Sequence, residues 1–212
     1  MVEFLGVVFL IFTLMMLAGK VVQNSIAFLA LQSLSLSAIA FYLGFSGGLD
    51  WHMLVAGLLT LAIKVIALPL VLYKIVDRVK AARELPLSVG LVTSVLVGVL
   101  IIGLTYAYIV PVLLQDVKEG GALLPVAMSV ILLGCFYMIS RCSVISQIIG
   151  IIVIENGLYL SALAITGGMP LMIELGIFFD VLVGALVMGV ITYKINDNFD
   201  TLDTQELTKL KG

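Results

Sequence analysis

The segment GIIVIENGLYL, residues 150–160, sets a carboxylate, Glu155, and an amide, Asn156, in the middle of an otherwise almost entirely aliphatic run. The fold turns on what surrounds that run. The chain has 212 residues, 62% of them hydrophobic and 11% charged, and its mean hydropathy is +1.27. Soluble domains are about 45–50% apolar and about 25% charged. No water-soluble fold could hide this much apolar surface, so the chain belongs in a bilayer. The formal net charge of −2 and the want of a basic patch exclude a nucleic-acid partner. Cys135 and Cys142 lack the partner spacing of a metal site.

Crossing ~30 Å of hydrocarbon takes about 20 apolar residues, and each crossing segment must be helical because lipid offers free backbone groups no partner. Runs of this kind lie near 3–19, 22–45, 52–76, 87–114, 122–140, 143–166 and 171–194. The first, FLGVVFLIFTLMMLAG (4–19), has Glu3 where a signal peptide carries positive charge, and no small-residue cleavage site follows it. It reads as a mature span. The expected fold is therefore an all-α integral membrane protein with seven transmembrane helices. Lys20, then Lys74, Arg78, Lys80 and Arg83, then Arg141, then Lys194, Lys209 and Lys211 fall on one side of these spans, against Lys118 alone on the other. The bias of Lys and Arg toward the cytoplasm puts the N-terminus outside and the C-terminus inside.

An internal repeat accompanies the spans. YKIVD (73–77) recurs as YKIND (193–197), and ALQSLSLSAIA (30–40) resembles VIENGLYLSALA (153–164), which sets Gln32 against Glu155. The layout is a first three-helix unit (1–86), a linking transmembrane helix with its outer loop (87–121), a second three-helix unit (122–195) and a cytoplasmic tail (196–212). The linking helix returns the chain to its starting side, so both units lie the same way up, unlike the inverted repeats of many secondary transporters. Chance similarity between apolar runs is the plain alternative.

Glu155, Asp180, Lys64 and Gln32 each fall about halfway along a span. Insertion scales assign about 2.5 to 3.5 kcal/mol to Asp or Lys at a helix centre, and an ionisable residue there is a functional-site hypothesis by default. Gly176 and Gly184 flank Asp180 at i−4 and i+4, a smooth strip where a second helix can approach. Pro69 cannot donate to the carbonyl of Val65, which loosens the helix beside Lys64. Asn156 is a second polar group beside Glu155 that points elsewhere on the helix, and Tyr159, one turn on, is placed to hydrogen-bond the carboxylate. Low dielectric disfavours the charged forms of carboxylates and lysines alike, so such groups can exchange protons near neutral pH. The bland readings are static interhelical ion pairs for Glu155, Asp180 and Lys64, and hydrogen-bond glue for Gln32 and Asn156. Glu174, in the first turn of the last span, is either a solvated helix-start carboxylate or an exit site of a relay. His52 lies at the outer edge. No nucleophile triad, phosphate loop, metal-ligand cluster or cofactor fingerprint occurs in the sequence, so redox catalysis is not expected of this chain alone.

The segments QSLSLSAIA (32–40), IKVIALPLVL (63–72), SQIIGIIVIENGLYLSAL (146–163), MIELGIFFDVLVGALVM (172–188) and TLDTQELTKLKG (201–212) together resemble the hydrogenase-4 component E (HyfE) family of complex I-related membrane hydrogenases and formate hydrogenlyases. Residues 122–212 also resemble the three-helix NuoK (MrpC-like) subunit of complex I, in which two membrane carboxylates belong to a proton-translocating polar axis. The third-helix carboxylate matches Asp180. The second-helix one falls near Ile152, one turn from Glu155 on roughly the same face. The resemblance implies two parallel NuoK-like units and a multi-pass protein of a prokaryotic cell membrane. It implies antiporter-like and anchoring membrane subunits as partners, and a hydrogenase arm whose iron–sulfur clusters and nickel–iron centre lie outside this chain. Asp203 and Glu206 before Leu207 and Leu210 suit a short docking helix or a frayed terminus.

The leading expectation is a non-catalytic subunit carrying part of a proton pathway: Glu155 and Asp180 as carriers, Lys64 as carrier or electrostatic modulator, Glu174 as exit, and Gln32, Asn156 and Tyr159 in support. The alternative is a component of a multisubunit cation/proton antiporter without a redox arm. A scaffold whose polar groups only lock helices together is a third class, and a self-sufficient permease ranks last.

Overall fold

Prolines and one polar cap mark where several of these apolar runs start or widen. Asp50 accepts a hydrogen bond from the His52 N–H at 3.1 Å and so opens the third run as a helix. Pro125 sits in the first turn of a later helix, where its missing N–H is harmless. Pro69 and Pro111 are interior, and each is preceded by a π-helical stretch.

The computed structural model describes residues 1–46, 50–79, 88–113 and 123–166, with single positions 184 and 189. The first helices are α1 (Val2–Leu17) and α2 (Val22–Ser46). The third run is one continuous helix made of α3 (Trp51–Thr60), the π-helical π1 (Leu61–Ala67) and α4 (Leu68–Val79). The fourth is likewise α5 (Leu91–Leu104), π2 (Thr105–Ile109) and α6 (Val110–Leu113), followed by α7 (Leu124–Ser140) and α8 (Val144–Thr166). Among the described residues there are six continuous helices and no strand. The chain is a multi-pass membrane protein, helical throughout the regular structure of its described residues. Four of its helices, over Val22–Ser46, Trp51–Asp77, Leu91–Val112 and Ile145–Ala164, are long and apolar enough to cross a bilayer. Val2–Leu17 and Leu124–Ser140, at 16 and 17 residues, are apolar but shorter, a few ångströms less than the ~30 Å hydrocarbon core. The expected seventh span, 171–194, lies outside the described residues.

α2 packs against α1, α3, π1, α4 and α8, while α7 and α8 form a tight antiparallel pair and α5 lies against α1 and α7. The α7–α8 contact depends on glycine. A Cβ at Gly157 would stand 3.1 Å from both the Ala127 carbonyl oxygen and the Ile131 nitrogen, and one at Gly134 would meet the Ile154 nitrogen at 3.1 Å. Without hydrophobic driving force in lipid, such backbone approach is what holds helices together. The apolar side chains of α5, Val92, Leu96, Val99 and Leu100, stay exposed.

One end of the bundle is laced by side chains. Tyr73 donates to the Gln23 carbonyl at 3.1 Å, and Arg141 Nη2 donates to the Leu17 carbonyl at 2.7 Å and the Gly19 carbonyl at 3.3 Å. The Ser88 N–H bonds the Ser140 carbonyl at 3.2 Å. Arg141, expected as a cytoplasmic loop charge, is 1% exposed. Its guanidinium covers the carbonyl end of α1, where a cation is favoured, and lies 5.4 Å from the Tyr137 ring centroid. Arg141→Ala should lower the stability of the detergent-solubilised protein by about 2–3 kcal/mol, since a charged hydrogen bond to two otherwise uncapped carbonyls is lost. Arg141→Lys should recover only part, because an ammonium does not reproduce the planar fork. A thermal melt of the three proteins checks this, and equal midpoints would remove the clamp from the account.

Candidate functional site

Lys64 lies inside π1, five residues before Pro69. Proline lacks the N–H that would bond the Val65 carbonyl, and its ring crowds that carbonyl. Widening to the π register relieves the crowding, and the Leu68 N–H reaches back to the Ile63 carbonyl, five residues away. The same device recurs before Pro111, where the Val110 N–H bonds the Thr105 carbonyl. Just above Lys64, Ser37 of α2 donates to the Gly57 carbonyl at 2.8 Å, which fixes α3 against α2, while the Thr60 hydroxyl bonds back to the Ala56 carbonyl of its own helix at 2.9 Å.

From this position Lys64 Nζ meets α8. It stands 2.5 Å from Glu155 Oε1 and donates to Asn156 Oδ1 at 3.0 Å. Lys64 and Glu155 are 1% and 6% exposed. No other donor reaches either carboxylate oxygen among the described residues. The Tyr159 ring lies under the ammonium, 5.6 Å from centroid to Nζ. Asn156 continues the network: its Nδ2 donates to Gln32 Oε1 at 3.1 Å and to Ser33 Oγ at 3.2 Å. Gln32 Nε2 in turn donates to Thr13 Oγ1 at 2.7 Å, and Thr13 donates to the Phe9 carbonyl at 3.0 Å. Gln32, Ser33 and Asn156 are fully buried. Four continuous helices thus meet at one polar cluster inside an apolar bundle.

Of the residues singled out from the sequence, Lys64, Glu155, Asn156, Gln32 and Tyr159 come together here. Asp180 and Glu174 lie outside the described residues. Asn156 shares the partner of its neighbour Glu155, because the lysine stem is long enough for its ammonium to sit between two adjacent residues of α8 and bond both. One expectation changes. Tyr159 meets the ammonium with its ring face rather than the carboxylate with its hydroxyl. Thr13 and Ser33 are members of the cluster that sequence reasoning missed. Ser33 adjoins Gln32 and was open to inference; Thr13 is a single hydroxyl in an apolar run and gave no signal.

The cluster is built for charge and hydrogen bonding and offers little to a redox metal. Iron–sulfur and nickel–iron centres require several thiolates. Cys135 is exposed on α7, Cys142 lies 2.6 Å from Ser88 Oγ, and no group of three His, Cys, Asp or Glu gathers among the described residues.

Known proteins are similar to this sequence. An uncharacterized protein of Mycobacterium tuberculosis, Rv0085, is 30% identical over 184 residues, covering 86% of this chain and 83% of that one. Hydrogenase-4 component E of Escherichia coli K12 is 30% identical over 155 residues, 70% of this chain and 69% of that protein, and the component E of Shigella flexneri matches equally. No family model and no solved structure matches the chain. Identity of this extent along more than two thirds of both partners, in a chain of stacked apolar helices, makes this protein a member of the hydrogenase-4 component E family.

Proposed function

We propose that the chain is a membrane-arm subunit of a complex I-related hydrogenase of the formate hydrogenlyase type, in which Lys64 and Glu155 are a proton-exchanging pair coupled to redox chemistry in partner subunits. The observation that carries this reading is the buried ion pair itself. Two charges withdrawn from water seldom stabilise a fold better than apolar groups of similar volume. A tie between helices would be served equally well by neutral side chains, whereas proton exchange requires ionisable ones. The names of the relatives, components of a hydrogenase, supply the redox partner. Nickel–iron and iron–sulfur groups belong, on this reading, to neighbouring subunits, with antiporter-like and anchoring subunits beside this chain in the membrane.

Asp180 and Glu174 join the pathway on sequence grounds, as a second carrier and an exit. The N-out, C-in orientation is supported by the gathering of residues near Lys20, Lys74 and Arg141 at one end of the bundle. The two halves are taken as parallel units. Hydrogen bonds from Arg141 to Leu17 and Gly19, and from Asn156 to Gln32 and Ser33, join residues 122 to 124 positions apart. That is close to the separation of equivalent residues in the repeat, so like meets like as across a two-fold axis.

In membrane vesicles holding the assembled complex, Glu155→Gln and Asp180→Asn should each reduce the protons moved per hydrogen formed by at least about tenfold while the complex still assembles, the scale of a lost general acid–base group. Unchanged coupling in both variants sinks the reading. Dissociation of the complex ahead of any change in transport would instead favour a scaffold. Nickel and iron in the complex purified through this chain separate a hydrogenase arm from a free-standing antiporter.

A further inference from the structure

We propose that Thr13, on a helix that does not touch the ion pair, is a positioning residue for Lys64, acting through Gln32 and Asn156; this rests on the proton-exchange reading above. An ammonium has only hydrogen-bond donors. Asn156 must therefore show Lys64 its carbonyl oxygen, 3.0 Å away, and its NH2 is turned toward Gln32 Oε1 and Ser33 Oγ, at 3.1 and 3.2 Å. With its carbonyl so engaged, Gln32 must turn its own NH2 toward α1, where Thr13 Oγ1 accepts at 2.7 Å. The Thr13 hydrogen is already committed to the Phe9 carbonyl at 3.0 Å. Each link allows one direction only, and the direction runs from the lysine across α8 and α2 to α1.

The consequence is that Thr13 closes the chain. Thr13 is 3% exposed, so no bulk water substitutes for its hydroxyl. Without that acceptor a buried amide hydrogen of Gln32 is left unmatched, and the cheapest repair is to turn the amide over. The reversed Gln32 would aim NH2 at the NH2 of Asn156, and a reversed Asn156 would aim NH2 at the ammonium. Both are donor-to-donor encounters. The orientation in which Asn156 holds Lys64 beside Glu155 thus depends on an oxygen three side chains away. The charged and aromatic groups facing Lys64 among the described residues, Glu155 and the Tyr159 ring, both come from α8. Nothing from α1 reaches it directly, so an effect of Thr13 must pass through the amides.

The test uses the assembled complex in membrane vesicles and reads protons moved per hydrogen formed. Thr13→Val removes the oxygen at nearly constant volume and should lower that ratio about fivefold, the factor for one net hydrogen bond. Thr13→Ser should restore it. Thr13→Cys, a weaker acceptor of similar size, should fall between and is read the same way if the valine variant does not assemble. A merely structural Thr13 would lower the yield or melting point of all variants and leave the ratio of the surviving complex untouched, which overturns the inference. Glu155→Gln run alongside separates the two ideas. If it alone lowers the ratio, Thr13 is not a positioning residue. If neither variant does, the proton-exchange reading has failed first.

Discussion

Lys64→Met is expected to lower the stability of the detergent-solubilised protein by about 3–5 kcal/mol, the cost of removing one member of a buried ion pair. The methionine fills most of the volume of the lysine stem, so little of this is a packing loss. What remains is a carboxylate, 6% exposed, stripped of the ammonium that stood 2.5 Å away, and an Asn156 oxygen without its donor. The double variant Lys64→Met/Glu155→Met should recover most of the loss, because a pair of charges is then exchanged for apolar contact. The interaction energy from the cycle of wild type, two single variants and the double variant is the quantity to measure, by denaturation in mild detergent. Losses that simply add would mean that the two side chains do not depend on each other, and the site would have no centre.

Asn156→Leu should be nearly as damaging, at about 3–5 kcal/mol, for a different reason. It removes no charge. It does strip partners from Lys64, Gln32 and Ser33 at once, all of them buried, and an unmatched buried polar group costs about 1–3 kcal/mol. The three losses share one cluster, so the total falls short of their sum. Asn156→Asp is the informative companion. It keeps one oxygen as acceptor for Lys64 yet puts its second oxygen, another acceptor, where Gln32 Oε1 and Ser33 Oγ expect a donor. Gln32 must then reverse and abandon Thr13. Melting curves of both variants decide the matter: if Asn156→Leu is as stable as wild type, the hub assigned to this residue is wrong.

Much of the scaffold was readable from the residues. The expected runs near 22–45, 52–76 and 143–166 correspond to helices over Val22–Ser46, 51–79 and Val144–Thr166. The loosened turn expected beside Lys64 is the π-helical stretch before Pro69. Gln32, Lys64, Glu155 and Asp180 were singled out for depth and Asn156 as the neighbour of Glu155; among the described residues, Gln32, Lys64, Glu155 and Asn156 meet in one layer. Rotation was less accessible. The repeat aligns Gln32 with Glu155 as equivalent positions and says nothing of contact; the residue that Gln32 bonds is Asn156. Arg141 was counted as a loop charge, and its burial depends on the α1–α2 turn, which is 122 to 124 residues away in the chain.

What the sequence by itself determined is the apolar runs that form the described helices and how far along each its polar residues lie. Bilayer thickness and the need to satisfy the backbone act on each apolar segment separately, so both can be counted along one dimension. What only the tertiary structure decided is which polar groups meet: Lys64 with both Glu155 and Asn156, and Thr13 at the far end of the amide chain. Partnership depends on how each helix is turned about its own axis. That turn is set by close approaches between distant segments, such as Gly157 against Ala127 and Ile131, and no periodicity within one helix encodes them.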